Sequence, residues 1–459
     1  MQTIEQSLSK ASDFVWGPPL LILLMGTHLF LTFRLRFIQR YLWHAIKLSF
    51  TRDKGAEGDV SHFGALMTAL AATIGTGNIV GVSTAIAAGG PGAVLWMWFT
   101  GVFGIATKYA EALLSVKYRI RNEKGQYSGG PMYVIEKGMN CKWLAVVFAA
   151  FTAISAFGIG NMVQANSIAT MLNETYKVQP WISGLVMTVF TAVVILGGIK
   201  SIAVVCEGLV PFMAIFYIAG CLLLLVWKID TIPETICLIF HDAFRPQAAV
   251  GGFIGAGVAQ AMRYGIARGL FSNESGMGSA PIVAAAAQTS NPVRQALVSS
   301  TGTFRDTVVV CALTGLVVVN SGMWIGGLNG TGLTNAAFGE FHVVGQVILS
   351  VALLTFVFST ILGWCYYGEK AMEYLFGVNV VKYYRMLWVV AVMVGSTVSI
   401  KIVWSFADIT NGLMAIPNLV SLIVLSRVLV DETKTHLWSK CSVGDTEKSG
   451  CEIEDCSND

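Results

Sequence analysis

The sequence predicts an all-α polytopic membrane protein, and three observations predict it. Only 12% of its 459 residues are charged, about half the roughly 25% of a soluble globular chain. Mean hydropathy is +0.65. Uncharged runs of about 18 residues or more, the length that crosses a bilayer, recur along the chain, beginning with "FVWGPPLLILLMGTHLFLTF" at Phe14. A coarse reading gives eleven helices, starting near Phe14, His62, Gly92, Lys142, Trp181, Glu207, Ala249, Asn291, Phe341, Tyr384 and Ile402.

The first run has neither a positively charged start nor a cleavage site, so it reads as a retained span rather than a signal peptide. A net charge of +3 is too small to argue for nucleic acid, but its distribution orients the chain. The segments Arg34–Asp59 and Lys117–Lys142 are basic, whereas Asn173–Gln179 has a single lysine and Ser321–Phe341 no basic residue. Positive charge stays inside, which places the basic loops in the cytoplasm and the N-terminus outside. Eleven spans then put the C-terminus inside, in keeping with Arg427. The run after Phe341 is long enough to tilt or to project from the bilayer. None of the nine cysteines has a metal-binding spacing; those in spans read as small packing residues. Cys441, Cys451 and Cys456 lie in an acidic tail after Asp431, expected to be cytoplasmic, reduced and disordered.

Two runs break their own pattern. "TALAATIGTGNIVGVSTAIAAGG" (Thr68–Gly90) carries GTGN at its centre, and "YGIARGLFSNESGMGSAPIVAAAA" (Tyr264–Ala287) dissolves into Gly, Ser, Asn and Glu. Four spans separate them, so they are the first and sixth of a set of ten, with the Phe14 helix outside it. Unwound backbone in hydrocarbon leaves peptide groups without partners, at several kcal/mol each. It persists only where it lines a cavity. Half-helix N-termini offer N–H groups to a carboxylate and C-termini offer carbonyls to a cation. Together the two breaks make a mid-membrane site for a zwitterion and a cation. Glycines also permit close helix packing, a competing reading for either segment alone. Gly75-x-Gly77-x-x-x-Gly81 has the wrong spacing for a dinucleotide fingerprint.

The motifs "IGTGNIVGVSTAIAAGGPGAVLWMW", "KYAE", "YSGGPMYVIEKG", "GLFSNESGMGSAP" and "TILGWCYYGEKA", in this order, resemble the alanine or glycine:cation symporter family, the sodium:alanine symporters. The resemblance runs from about Phe14 to Arg427. It implies the five-plus-five inverted-repeat, leucine-transporter-like core of the amino acid–polyamine–organocation superfamily, with one extra N-terminal helix. The corresponding division is 1–61 for the N-terminus, extra helix and basic loop, 62–240 and 241–430 for the two repeats, and 431–459 for the tail. The implied activity is sodium-driven import of alanine or glycine across the plasma (inner) membrane, with no cofactor beyond the coupling ion and no enzymatic chemistry. Amides around Thr76 and Gly77, with the Thr76 hydroxyl, would hold the substrate carboxylate; Asn78 would bond the ligand or order the break. Carbonyls around Thr73 and Gly269 would meet the amino group. Gln164 is implied to contact the amino acid, with Asn161 and Asn166 as competing amides. Phe271 and Trp364 would wall a pocket with little space beyond a methyl group. Sodium would face the carbonyls of Ala71 and Ile74 and the hydroxyls of Ser359 and Thr360. Oxygen ligands without a carboxylate suit a monovalent cation.

Charges within spans are functional candidates. Lys108 and Glu111 are spaced to pair on one helical face. Arg263, Arg268, Glu274, Arg305 and Asp306 are expected as gate or scaffold ion pairs, Asp408 as an outer gate or a helix cap, and Glu207, Glu369, Lys370 and Glu373 near the surface. Proton coupling stays open as an alternative. A channel lacks any filter-like repeat, and an enzyme lacks a nucleophile–base pair or HExxH.

Overall fold

The computed structural model describes residues 2–51, 56–244, 258–328, 330–398 and 400–439. Almost all of it is helix. An amphipathic α1 (Gln2–Val15) precedes α2 (Pro18–Arg34), which starts on prolines after Gly17 and bends by 66° into the segment leading to α3 (Leu42–Leu48). The sequence reading missed α1, whose charged residues hide its apolar face from a hydropathy scan.

The first core helix is broken: α4 (His62–Thr73) gives way at 74–76 to a π-helical turn, Gly77–Gly81, and α5 (Val82–Gly89), with a 50° bend. Ser61 caps α4, accepting from the Gly64 amide at 2.9 Å and donating to Glu207 at 3.0 Å. Then follow α6 (Ala93–Lys117), a two-stranded hairpin (β1, Ile120–Arg121; β2, Tyr127–Ser128), α7 (Pro131–Gly138), and α8 (Lys142–Ser155) continued through a π segment, Ala156–Met162, into α9 (Val163–Tyr176). The helices α10 (Pro180–Ile195), α11 (Gly198–Trp227) and α12 (Ile232–Phe244) complete the first half.

The second half also opens on a broken helix. Its broken helix is α13 (Val258–Asn273), unwound over 274–280 and resumed in α14 (Pro281–Ala284). Next come α15 (Pro292–Thr303) and α16 (Ala312–Asn320), joined by the π segment Phe304–Cys311, then α17 (Gly330–Gly339), α18 (His342–Phe376), α19 (Val381–Thr397), α20 (Ile400–Val424) and α21 (Ser426–Thr433). At 35 residues, α18 is about 52 Å long and projects past a hydrocarbon core of about 30 Å, as expected. Six described helices are long and apolar enough to cross a bilayer, and the two bent pairs raise this to eight. The eleven expected are completed by α6, which carries Lys108 and Glu111, by the 16-residue α10, and by α13, whose expected start near Ala249 lies outside the described residues.

Small residues set the packing, as they do where helices lack a hydrophobic drive to associate. A Cβ on Gly363 of α18 would lie 2.8 Å from the Ala72 nitrogen of α4, and one on Gly265 of α13 would lie 2.4 Å from the Ala93 carbonyl oxygen of α6. Two expectations are corrected here. The fifth core span begins at Gly198, not Glu207; Glu207 sits inside it because it meets the Ser61 cap. The tail is helical through Trp438 rather than disordered from Asp431, because Thr433 bonds Tyr109 at 2.9 Å and Glu432 pairs with Lys117. Residues 440–459 lie outside the described residues.

Candidate functional site

The break at 74–76 redirects three amides. In a continuous helix Gly75, Thr76 and Asn78 would donate to the carbonyls of Ala71, Ala72 and Ile74. Instead the Gly75 amide donates to Asn78 Oδ1 at 2.9 Å, the Thr76 amide to Gln164 Oε1 at 3.2 Å and the Asn78 amide to the Gly75 carbonyl at 3.2 Å. Ala71 and Ile74 thereby lose their helical donors. Both carbonyls turn toward Thr360 of α18, whose Oγ1 lies 3.1 Å from Ala71 O and 3.3 Å from Ile74 O while also 2.8 Å from Phe356 O. A hydroxyl has one proton. It cannot satisfy three carbonyls at once, so oxygens gather here with too few protons, an environment that fits a monovalent cation. Ser359 does not share it: its hydroxyl meets the Phe356 carbonyl at 3.0 Å and the Met213 sulfur at 3.4 Å.

Space at the break is kept by glycine. A Cβ on Gly75 would lie 2.5 Å from Thr360 Oγ1, and one on Gly77 3.0 Å from the Phe271 ring. Thr76 Oγ1 is buried and has no partner among the described residues, so the site offers an unused hydroxyl. Thr73 spends its hydroxyl on its own helix, at 3.2 Å from Ala69 O. Asn78 is fully committed: besides accepting from Gly75, its Nδ2 donates to Asp306 Oδ1 at 2.6 Å. Gln164 holds the Thr76 amide and donates to Ile159 O at 2.9 Å. Asn161 and Asn166 instead donate to α19, at Trp388 O (2.9 Å) and Gly395 O (3.0 Å). Trp364 packs on the bulged third core helix, where a Cβ on Gly160 would lie 2.1 Å from its Cβ.

The second break differs from expectation. Gly269 lies in continuous α13, because its missing side chain lets that helix approach α6: a Cβ would be 2.2 Å from Thr100 Oγ1. Unwinding begins at Glu274, which, like Gly276 and Gly278, has a positive φ (55°, 93° and 84°). Glu111 Oε1 of α6 accepts from the Gly276 and Gly278 amides at 3.0 Å each and from Asn418 Nδ2 at 2.6 Å. Lys108 Nζ donates to the Asn273 carbonyl at 2.8 Å. The expected Lys108–Glu111 pair is thus replaced by two charges that each terminate loose backbone, at opposite ends of the same unwound stretch.

Asp306 joins the two breaks. It accepts from Asn78 and, through Oδ2, from Ser272 at 2.8 Å and Thr307 at 2.7 Å. It is a hydrogen-bond hub, not the ion pair expected of it; its neighbour Arg305 points away to Ser49 at 3.0 Å. Three of the four π segments among the described residues, Gly77–Gly81, Ala156–Met162 and Phe304–Cys311, carry or lie next to Asn78, Gln164 and Asp306. Such bulges frequently mark functional sites. Sequence reasoning missed Ser272 and the role of Asp306; the one carboxylate of the stretch 292–320 was the available signal.

Charged side chains are bound on two sides of the site. On one side Arg268 pairs with Asp408 through two bonds of 3.0 and 2.9 Å, and its guanidinium covers Phe271 and Trp404, whose rings stack at 5.2 Å. Asp408 is thus paired with Arg268. On the side of the basic loops, Arg119 donates to the carbonyls of Ala285, Ala287, Glu57 and Thr289 at 2.8–3.2 Å, and the Asp59 amide reaches Ala286 O at 2.8 Å. Burial raises the Asp59 carboxyl above its ordinary pKa, against the pull of the Tyr127 amide. Glu369 and Lys370, expected near the surface, are buried in pairs with Arg385 (2.7 Å) and Glu373 (2.9 Å). Asp408→Asn leaves Arg268 with half its bidentate partner. A cysteine placed at Thr76 in that background should react severalfold faster with a membrane-impermeant maleimide added to intact cells than the same cysteine behind an intact gate; equal rates would show that the pair does not close the site.

A family model described as the sodium:alanine symporter family matches residues 1–449. An uncharacterized transporter of Haemophilus influenzae is 52% identical over 439 residues, covering 95% of this chain and 96% of its own. The sodium/alanine symporter AgcS of Methanococcus maripaludis is 51% identical over 438 residues, covering 93% and 96%. Among solved structures, MhsT in complex with L-phenylalanine superposes with a TM-score of 0.62 at 15% identity, covering 84% of this chain and 95% of that one. That likeness is one of fold.

Proposed function

The chain belongs to the sodium:alanine symporter family, and from that premise we propose that it imports alanine, or glycine, together with sodium by alternating access across the plasma membrane, with its basic loops and C-terminus in the cytoplasm. The observation that carries the reading is the set of redirected peptide groups at 71–78. Amides of Gly75 to Gly77 and the unused Thr76 hydroxyl receive the carboxylate, displacing the side-chain oxygens that hold them. Sodium enters the proton-poor oxygen cluster of Ala71, Ile74 and Thr360. Carbonyls near Thr73 and at the end of α13 meet the ammonium. Phe271 and Trp364 would wall the pocket, so that a side chain larger than a methyl group would overpack it.

The driving force suffices. One sodium falling through about 100 mV gains about 2.3 kcal/mol, which supports roughly a forty-fold substrate gradient at 1.4 kcal/mol per tenfold. The test is uptake of labelled alanine into proteoliposomes, with and without an imposed sodium gradient. Concentrative uptake should require the gradient; sodium-independent uptake refutes the coupling. Gln164, once displaced from the Thr76 amide, turns its side chain to the amino acid, so Gln164→Ala should weaken alanine binding about tenfold, the worth of one hydrogen bond, while Gln164→Glu keeps an acceptor there. Thermal stabilisation by alanine in detergent measures both. A second reading, proton coupling, is favoured by one observation, the titratable Asp306 in contact with Asn78. Uptake driven by a pH gradient without sodium, and lost in Asp306→Asn, would establish it.

A further inference from the structure

We propose that the groove between α10, α11, α18 and α19 on the basic face binds the headgroup of an anionic phospholipid. It is a cavity of about 1000 Å³, remote from both breaks. Its lining includes Lys124, Lys200 and Lys382 together with Leu196, Val389 and Val390. The three lysines are exposed, and among the described residues their ammonium groups make no ion pair. The remaining charges of the wall cancel: Arg385 is held by Glu369 through bonds of 2.7 and 3.0 Å, and Glu373 by Lys370 at 2.9 Å. Lys200 also lines a neighbouring cavity with Asp59 and Glu207, so Lys124 and Lys382 carry the surplus positive charge of the wall among the described residues.

The apolar lining fixes the kind of anion. Only 22% of the α19 span is buried, so its outer face belongs to lipid. Lys382 stands in its first turn and Val390 eight residues on, about 12 Å deeper, with Leu196 beside them at the end of α10. Charge at the membrane surface above an apolar wall matches a phosphodiester with an acyl chain beneath it; a free phosphate has no use for the wall. Basic pockets between helices on the positively charged side of membrane proteins recognise such headgroups. Arg385 and its partner Glu369 also line the cavity, which ties a lipid seated there to α18, the helix that carries Thr360.

The experiment is native mass spectrometry of the full chain in detergent, titrated with phosphatidylglycerol or phosphatidylcholine. The chain should retain phosphatidylglycerol about tenfold more strongly, millimolar inorganic phosphate should not displace it, and combined Lys124→Ala, Lys200→Ala and Lys382→Ala should make the two lipids equal. Equal retention by the unaltered chain, displacement by phosphate, or a preference that survives the triple change overturns the proposal. Lys382→Glu alone should already lower phosphatidylglycerol retention severalfold, so a triple variant that fails to fold leaves the result decidable: undiminished retention counts against the site.

Discussion

Thr360→Ala should leave a folded protein that no longer uses sodium at physiological concentration. Its hydroxyl is the only side-chain oxygen bonded to the Ala71 and Ile74 carbonyls among the described residues, and removing it leaves those two carbonyls without the third oxygen that defines the cluster. A buried polar contact of this kind contributes about 2 kcal/mol, which corresponds to roughly a thirtyfold rise in the sodium concentration for half-maximal uptake. Ser359→Ala is the control. That hydroxyl faces Phe356 and Met213, so its loss should shift the sodium dependence far less. Half-saturation of proteoliposome uptake by sodium measures both variants, and equal shifts would mean that the two hydroxyls share the ion.

Glu111→Ala should be the most damaging single change to the fold of the site. One carboxylate oxygen holds two amides of the unwound segment and Asn418. Truncation leaves two buried N–H groups bare, at about 1–3 kcal/mol each, or about 4 kcal/mol in all. Glu111→Gln separates geometry from charge, because its Oε1 can still accept from all three donors. The account expects the alanine variant to unfold at a clearly lower temperature in detergent and to lose alanine-dependent stabilisation, with the glutamine variant close to the unaltered chain. If both variants lose stability equally, the negative charge matters more than the hydrogen bonds.

The span starts at His62, Lys142, Pro292 and His342 were legible because Ser, Asn, Pro and Gly punctuate them, and GTGN marked the first break within a residue. The second break was displaced from Gly269 to Glu274 because a glycine can serve either unwinding or close approach, and only the Thr100 contact across to α6 decides which. Glu207 was read as a span boundary because a carboxylate in an apolar run looks interfacial; its reason is a cap on a helix 146 residues earlier. The same limit applies to Lys108, Glu111 and Asp306. Their partners are backbone atoms and amides brought close by tertiary structure, which spacing along one helix cannot reveal. The π segments leave no mark on a hydrophobic period, so the convergence of Asn78, Gln164 and Asp306 was invisible.

If one unwound stretch serves both ion and amino acid, their affinities must be linked, each raising the other by the same factor. The direct measurement is the alanine dissociation constant of the purified chain at a series of sodium concentrations, with potassium holding ionic strength constant. The account predicts that alanine binds progressively more tightly as sodium replaces potassium, and that Thr360→Ala flattens this dependence. Alanine affinity that is the same in sodium and in potassium would contradict it.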